Sequence, residues 1–191
     1  MVMIWTKKFR AFYCLYVRYC MYMQRIFIMI QINRKLEPGR YKIPDAFPDI
    51  RQDPIILEIF GSKEEVDDIL DNVNIKVVDV PHYMNVDNND GTINVGLGHL
   101  KQSEPVILYL DIIHELFHVK QQRKGIDLYD RSVAYVDRQT EIEAYEFTVK
   151  AARAIGLTDK EILDYLWVEW ITPEDHIRLA KKLKVKIEST P

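Results

Sequence analysis

The residues best suited to chemistry lie in the run HELFH at positions 114–118. His114 and His118 stand four apart, which places them one above the other on the same face of a helix. Two imidazoles in that arrangement can bind one metal ion, and Glu115 can reach a water at that ion without binding the ion itself. The run therefore predicts a metal-dependent hydrolase with Glu115 as the general base. The alternative is a surface helix whose histidines are solvated.

The flanking residues favour a helix around this run. Ser103 can cap its N-terminus, and Gly125 supplies a stop. Between them, apolar residues recur at helical spacing and are expected to face the core: Val106, Leu110, Ile113 and Phe117. Asp111, His114 and His118 fall on a different face, so one side of the helix is apolar and another carries the chemistry.

A catalytic zinc ion has three protein ligands and one open position, so a third donor must come from elsewhere. A second helix is predicted from about Thr140 to Ile155. It carries carboxylates at Glu141, Glu143 and Glu146. We expect one of them to complete the site.

Short β-branched runs upstream of the motif predict a sheet. IKVVDV at 75–80 favours a strand, and HYMNV and TINVG flank the turn DNNDG, which favours a hairpin. We expect a small antiparallel sheet of about three strands, packed on the active-site helix and on the second, glutamate helix. Further helices are predicted to begin at Thr158 and Thr172. Strands followed by helices indicate an α+β fold.

The chain divides by composition near residue 53. Residues 1–52 are expected to form an apolar N-terminal segment and a strap or linker rich in proline, glycine and charge. Residues 53–191 are expected to form the compact domain with its C-terminal helices.

The N-terminal stretch 11–33 is strongly apolar, but Arg18 and Arg25 interrupt it. A membrane-spanning helix is therefore not expected. Its basic residues would suit a helix on an anionic membrane surface, although this is not the favoured interpretation. Packing on the body, or a true start at Met21 or Met23, is preferred.

Overall composition excludes some classes of function. The net charge of −3 gives no sign of nucleic-acid binding. The only cysteines, Cys14 and Cys20, cannot form the disulfide framework of a small secreted protein. We therefore expect a cytoplasmic protein.

HELFH followed by a helix with Glu-Ala resembles the gluzincins, metallopeptidases with an HExxH helix and a downstream glutamate helix. Their metal-binding glutamate is often followed by a small residue, which Glu143-Ala144 matches and Glu141-Ile142 does not. Over roughly residues 55–185 the chain is most similar to the archaeal minigluzincins, through HELFHVKQ, YVDRQTEIEAYEF and YLWVEWITPEDH.

The resemblance implies a peptidase acting on peptides or proteins, with one Zn²⁺ per chain held by His114, His118 and Glu143. Glu115 would be the general base. Minigluzincins resemble zymogens, so we also expect a latent form in which the segment after Thr172, or the N-terminal strap, covers the metal.

Two features qualify this ligand set. Thr140 and Glu143 also fit a capping box, in which Glu143 would bind the backbone of Thr140, and Glu141 is then the fallback ligand. Many gluzincins have an acidic residue four positions after the ligand to orient a histidine, but here that residue is Phe147. Asp111 is a possible substitute.

A peptidase also needs a donor for the oxyanion of the tetrahedral intermediate. The tyrosine and histidine candidates are Tyr129, Tyr135, Tyr145, His82, His99 and His176. We single out His99, Tyr145 and His176, and His176 could instead occupy the open metal position in a latent form. TINVG could be an edge strand that accepts an extended peptide.

Two rival functions remain. One is a binding module that retains zinc only for stability, although Glu115 has no purpose in a purely structural site. The other is a membrane-associated protease anchored through residues 11–33.

Overall fold

The computed structural model describes residues 31–81 and 84–187. Most of the apolar stretch 11–33, both cysteines and His82 lie outside the described residues, so the expectations for them stay predictions. Within these two ranges, no helix combines the length and the apolar character needed to cross a membrane.

The sheet has four strands rather than about three, and it is mixed rather than antiparallel. The strands are β1 (Gly39–Lys42), β2 (Asn74–Val78), β3 (Met84–Val86) and β4 (Ile93–Gly96). Their spatial order is β1-β2-β4-β3. The predicted hairpin is confirmed, because β3 and β4 pair antiparallel, but β2 and β4 run parallel.

The additional strand comes from the segment expected to be a strap. β1 pairs antiparallel with β2, with Gly39 opposite Val77 and Lys42 opposite Asn74. Apolar side chains that follow β1 are buried in the core: Ile43, Ala46, Phe47 and Ile50. The boundary expected at residue 53 therefore does not separate these residues from the domain. Proline and charge made the stretch resemble a loop, although its apolar residues between 43 and 50 belong to the core.

The α+β class is confirmed, with eight α-helices among the described residues. They are α1 (Ile43–Ala46), α2 (Pro54–Phe60), α3 (Lys63–Asn72), α4 (Leu97–Gln102), α5 (Pro105–Arg123), α6 (Gln139–Ala154), α7 (Asp159–Tyr165) and α8 (Pro173–Lys182). A 3₁₀ turn at Tyr135–Asp137 lies between α5 and α6.

Helix caps explain several of these boundaries. The capping box predicted at Thr158 forms with Glu161, and a second capping box joins Thr172 to Asp175 at the start of the next helix. Ser103 does not cap α5, however. It is the C-cap of α4, and α5 begins after Glu104 without a side-chain cap.

The core lies around α5, which packs on α6, α2 and β3. The apolar face predicted for α5 is largely correct, since Leu110, Ile113 and Phe117 are buried and Val106 is half-buried. The opposite face is buried too, because α6 covers it. This burial places the polar residues of α5 between two helices.

Candidate metal centre

Two histidines of α5 point toward the same place. His114 Nε2 and His118 Nε2 lie 2.9 Å apart, and their rings meet edge to face with centroids 4.6 Å apart. Both side chains are buried. The two histidines, four residues apart, are therefore close enough to bind the same metal ion.

The carboxylate beside them belongs to Glu141 on α6. Its Oε2 atom lies 3.3 Å from His114 Nε2 and 3.5 Å from His118 Nε2. Among the residues that the structure describes, His114, His118 and Glu141 form the one group of three or more potential ligands close enough to share an ion. This buried group could bind a metal ion.

The expected ligand Glu143 lies elsewhere, which corrects the preference taken from the Glu-Ala pair. Two residues along a helix are rotated by about 200°, so Glu141 and Glu143 cannot both face the histidines. Glu143 instead accepts hydrogen bonds from Gln121 Nε2 and Gln139 Nε2, both at 3.0 Å. The capping box at Thr140 does not form either, because α6 begins earlier, with Arg138 as its N-cap.

The three ligand atoms suit a tetrahedral ion. Metal–ligand bonds of about 2.0–2.2 Å at tetrahedral angles separate neighbouring donor atoms by about 3.3–3.5 Å. The two distances from Glu141 agree with this value, and the separation of the two nitrogens is shorter. Glu141 Oε2 is buried and makes no hydrogen bond within the described ranges. The neighbours of this oxygen are the two imidazoles, so either a proton on one of them or a bound cation must compensate its buried negative charge.

The charges at this centre are strongly coupled. Burial raises the pKa of Glu141, but its interactions with His114 and His118 outweigh burial and hold that pKa well below its usual range. Burial lowers the pKa of His118, yet Glu141 and Glu115 more than offset this and raise it to about 9. Without a metal, His118 therefore keeps a proton at neutral pH that neutralises the buried Glu141 carboxylate.

Glu115 is buried beside this group. Burial raises its pKa, and the nearby positive charges of His118 and His114 oppose that rise. Its Oε2 atom has no hydrogen-bond partner in the described part of the chain. A carboxylate with a raised pKa and an uncommitted oxygen is suited to accept a proton.

Gln121, one turn after His118 on α5, was not expected to contribute. His118 Nδ1 lies 2.8 Å from Gln121 Oε1, and because an amide oxygen only accepts, Nδ1 donates. The spacing of three residues in HVKQ was a usable signal, because such residues are neighbours on a helix surface.

An aromatic pair covers His114. The Tyr145 ring lies 4.4 Å from the His114 ring, centroid to centroid, and the Tyr145 hydroxyl lies 3.0 Å from that of Tyr135. Burial above all raises the pKa of both tyrosines, so their hydroxyls stay protonated. Tyr135 also interacts with Glu141. Tyr145 therefore lies at the centre, as the sequence suggested, and Tyr135 joins it.

His99 and Asp111 form a separate pair one turn before His114. His99 Nε2 donates to Asp111 Oδ2 at 2.8 Å, and the Tyr165 hydroxyl donates to Asp111 Oδ1 at 2.8 Å. Asp111 thus holds His99 and Tyr165, not a metal-ligating histidine. Phe147, four positions after Glu143, stacks on Phe117. With Glu141 facing the histidines, the residue four positions later is Tyr145, whose ring packs against His114.

Other candidates lie away from the ligands. His176 Nε2 donates to the Leu163 carbonyl at 2.7 Å, and its ring packs against Trp167. Tyr129 donates to the Val86 carbonyl. β4, which contains most of TINVG, lies between β2 and β3, so its backbone is not free to pair with a peptide.

Comparison of the chain with protein-family models, with curated proteins and with solved structures gave no match. Function therefore has to be inferred from the centre itself.

Proposed function

We propose that this protein is a zinc metallopeptidase of the gluzincin type that hydrolyses peptide bonds. The observation that carries the proposal is the meeting of His114, His118 and Glu141 at one point, with Glu115 buried beside them. Two imidazoles and one carboxylate form a ligand set of catalytic zinc sites, which leave one coordination position open. Structural zinc sites rely on cysteine, and no cysteine lies among the described residues.

His114, His118 and Glu141 hold the ion in this proposal. A zinc ion bound there lowers the pKa of water and polarises a carbonyl group. Glu115 accepts the proton from the attacking water, since its pKa is raised by burial. It then delivers that proton to the leaving amine.

The two tyrosine hydroxyls supply the hydrogen-bond donors at the reacting carbonyl. Tyr145 lies against His114, and Tyr135 interacts with Glu141, so both hydroxyls are held at the ligands. Neutral phenols are suited to stabilise a developing oxyanion. Of the residues singled out from the sequence, Tyr145 keeps this role, whereas His99 and His176 are committed to Asp111 and to a backbone carbonyl.

The centre is closed, which supports a latent form. The four residues at its heart, His114, Glu115, His118 and Glu141, are each exposed by 7% or less. Tyr135 lies on the 3₁₀ turn Tyr135–Asp137, and Asp137 forms ion pairs with Arg178 and Lys182 of α8. The helix after Thr172 therefore holds the turn that covers the centre, rather than inserting His176 into it.

Closure also gives weight to a second function, a zinc-stabilised binding module without hydrolysis. A centre that substrate never reaches would still stabilise the fold when it binds a metal ion. Glu115 separates the two functions, because a stabilising site does not need its carboxylate.

Metal analysis of matched variants tests the ligand set and the chemistry together. We expect Glu141→Ala to lose most of the bound zinc, and Glu146→Ala, which removes an exposed carboxylate from the same helix, to keep it. Glu115→Gln should keep zinc and lose peptide hydrolysis. Zinc retained at the parent level in Glu141→Ala would refute the ligand set, and undiminished hydrolysis in Glu115→Gln would refute the general base.

Weakening the contacts of α8 tests latency. Arg178→Ala combined with Lys182→Ala removes both ion pairs to Asp137 while leaving the buried Leu179 and Ala180 in place. We expect higher peptidase activity toward a quenched fluorescent peptide library, with unchanged zinc content. Lys181→Ala, on an exposed neighbouring position, is the control. Equal activity in all three proteins would contradict this form of latency.

A further inference from the structure

We infer that Gln121, held in place by Glu143, is a positioning residue that fixes the tautomer and orientation of His118 for metal binding. The inference deepens the proposed function and rests on it, because it assigns a role to two residues beside the same ligands. It also gives a purpose to Glu143, which the sequence had suggested as a ligand.

The contacts form a continuous series from α6 to the ligand. Gln121 is almost completely buried, exposed by 2%. Its Oε1 atom lies 2.8 Å from His118 Nδ1, and its Nε2 atom lies 3.1 Å from the Thr140 carbonyl and 3.0 Å from Glu143 Oε2. Every polar atom of this side chain is therefore engaged.

The partners of Gln121 determine which way its amide faces. The Thr140 carbonyl and the Glu143 carboxylate are acceptors, so the amide NH₂, with its two hydrogens, must face them. The amide oxygen then has to face His118. A reversed amide would set its oxygen against two acceptors in a buried site, at a large cost in free energy.

This orientation fixes the proton on His118. Since Gln121 Oε1 only accepts, His118 Nδ1 must carry hydrogen. When the other ring proton leaves, the lone pair appears on Nε2, which is the nitrogen that faces Glu141. Hydrogen bonds to the non-ligating nitrogen are known to orient metal-bound histidines and to increase their affinity for the metal.

Glu143 holds the Gln121 side chain in position through hydrogen bonds that connect two helices. It accepts from Gln121 of α5 through Oε2 and from Gln139 of α6 through Oε1. Glu143 and Gln139 are four residues apart on α6, so this second hydrogen bond is local. The carboxylate therefore links the start of the glutamate helix to the side chain that holds His118.

Zinc affinity, measured by competition with a chromogenic chelator, is the first test. We expect Gln121→Leu to bind zinc about 10–100-fold more weakly than the parent, the loss typical of removing such a partner. Glu143→Ala should show a smaller loss, and Glu146→Ala none. Parent-like zinc affinity in a folded Gln121→Leu protein would overturn the inference.

A variant that exchanges the side chains of Gln121 and Glu143 distinguishes a lost hydrogen bond from a folding defect in Gln121→Leu. Gln121→Glu combined with Glu143→Gln keeps an acceptor toward His118 and restores a donor from position 143, although the Thr140 carbonyl loses its donor, as it also does in Gln121→Leu. We expect the double variant to bind zinc more tightly than Gln121→Leu. If the double variant is folded and no better than Gln121→Leu, the hydrogen bond to His118 is not what sets the affinity.

The histidine tautomer supplies a readout that needs neither zinc nor activity. In the metal-free protein, at a pH high enough for His118 to be neutral, ¹⁵N-detected NMR should show the remaining ring proton on Nδ1, which faces Gln121 Oε1. In Gln121→Leu we expect it to move largely to Nε2. A parent His118 with its proton on Nε2 would overturn the inference even if zinc binds, whereas a parent that binds no zinc but keeps Nδ1–H would refute only the proposed function.

Discussion

The two sides of the metal centre are built from different chemistry. On one side, hydrogen bonds hold His118 through Gln121, Thr140 and Glu143. On the other side, His114 is held by packing against the tilted ring of Tyr145. Among the described residues, His114 Nδ1 has no hydrogen-bond partner at all.

This difference separates two ways of orienting a ligand. Hydrogen bonds to His118 specify both the ring plane and the tautomer. Packing against His114 restricts the ring plane but leaves its tautomer to the ligands in front of it. His118 is thus oriented by hydrogen bonds before the metal binds, whereas no hydrogen bond from the described residues fixes the tautomer of His114.

Removing either imidazole should give the largest loss of zinc affinity. The loss should be similar for the hydrogen-bonded His118 and the packed His114. We expect His114→Ala and His118→Ala each to weaken zinc binding by on the order of a thousand-fold or more, because each loses one of three ligands. Isothermal titration of both variants, with the exposed-site variant Glu146→Ala as control, would measure it. A tenfold or smaller loss in either variant would remove that histidine from the ligand set.

The second largest effect should be a pH dependence of stability and of zinc affinity that comes from His118. His118 has a pKa of about 9 instead of 6.5, so between these values the metal-free folded protein keeps a proton that the unfolded chain has lost. Its stabilising effect is complete below about pH 6.5 and disappears as the pH rises through about 9. Zinc must displace that proton, so the apparent zinc affinity should rise about tenfold per pH unit across the same window.

Thermal unfolding at several pH values, with and without zinc, tests both expected pH trends: the falling stability of the metal-free protein and the rising zinc affinity. The melting temperature of the metal-free protein should fall from about pH 6.5 to about pH 9, while the increase caused by saturating zinc grows. In Glu141→Gln the trend without metal should be weaker, because Glu141 is the leading cause that raises the pKa of His118. A zinc effect independent of pH would show that no ring proton is displaced.

The sequence predicted the site better than the sheet. Spacing of four residues fixed the relation of His114 to His118, because helix geometry alone relates them. β1 and the parallel pairing of β2 with β4 were missed, because strand partners depend on residues far apart in the chain. Local sequence carries little information about such pairing.

The third ligand could not be identified from a short sequence pattern. The Glu-Ala pair favoured Glu143, but the choice between Glu141 and Glu143 depends on the rotation of α6 relative to α5. That rotation is set by packing of buried residues along α6, among them Ala144, Thr148 and Ala151. The same rotation placed Glu143 beside Gln121, a contact that no short pattern could have predicted.

The aromatic side should give the smallest change in metal affinity and a clear change in stability. We expect Tyr145→Ala to destabilise the protein by about 3 kcal/mol, because it empties the space over His114. Tyr145→Phe keeps the ring and loses only the hydrogen bond to Tyr135, so it should cost about 1 kcal/mol. Urea unfolding of the metal-free proteins measures both values.

Zinc titration of the same two variants completes the comparison. Because Tyr145 restricts the His114 ring without fixing its proton, Tyr145→Phe should bind zinc within about threefold of the parent, in contrast to the 10–100-fold loss expected for Gln121→Leu. If Tyr145→Phe weakens zinc binding as much as Gln121→Leu does, the hydroxyl has a polar role at the ligands. The division into a hydrogen-bonded and a packed histidine would then be wrong.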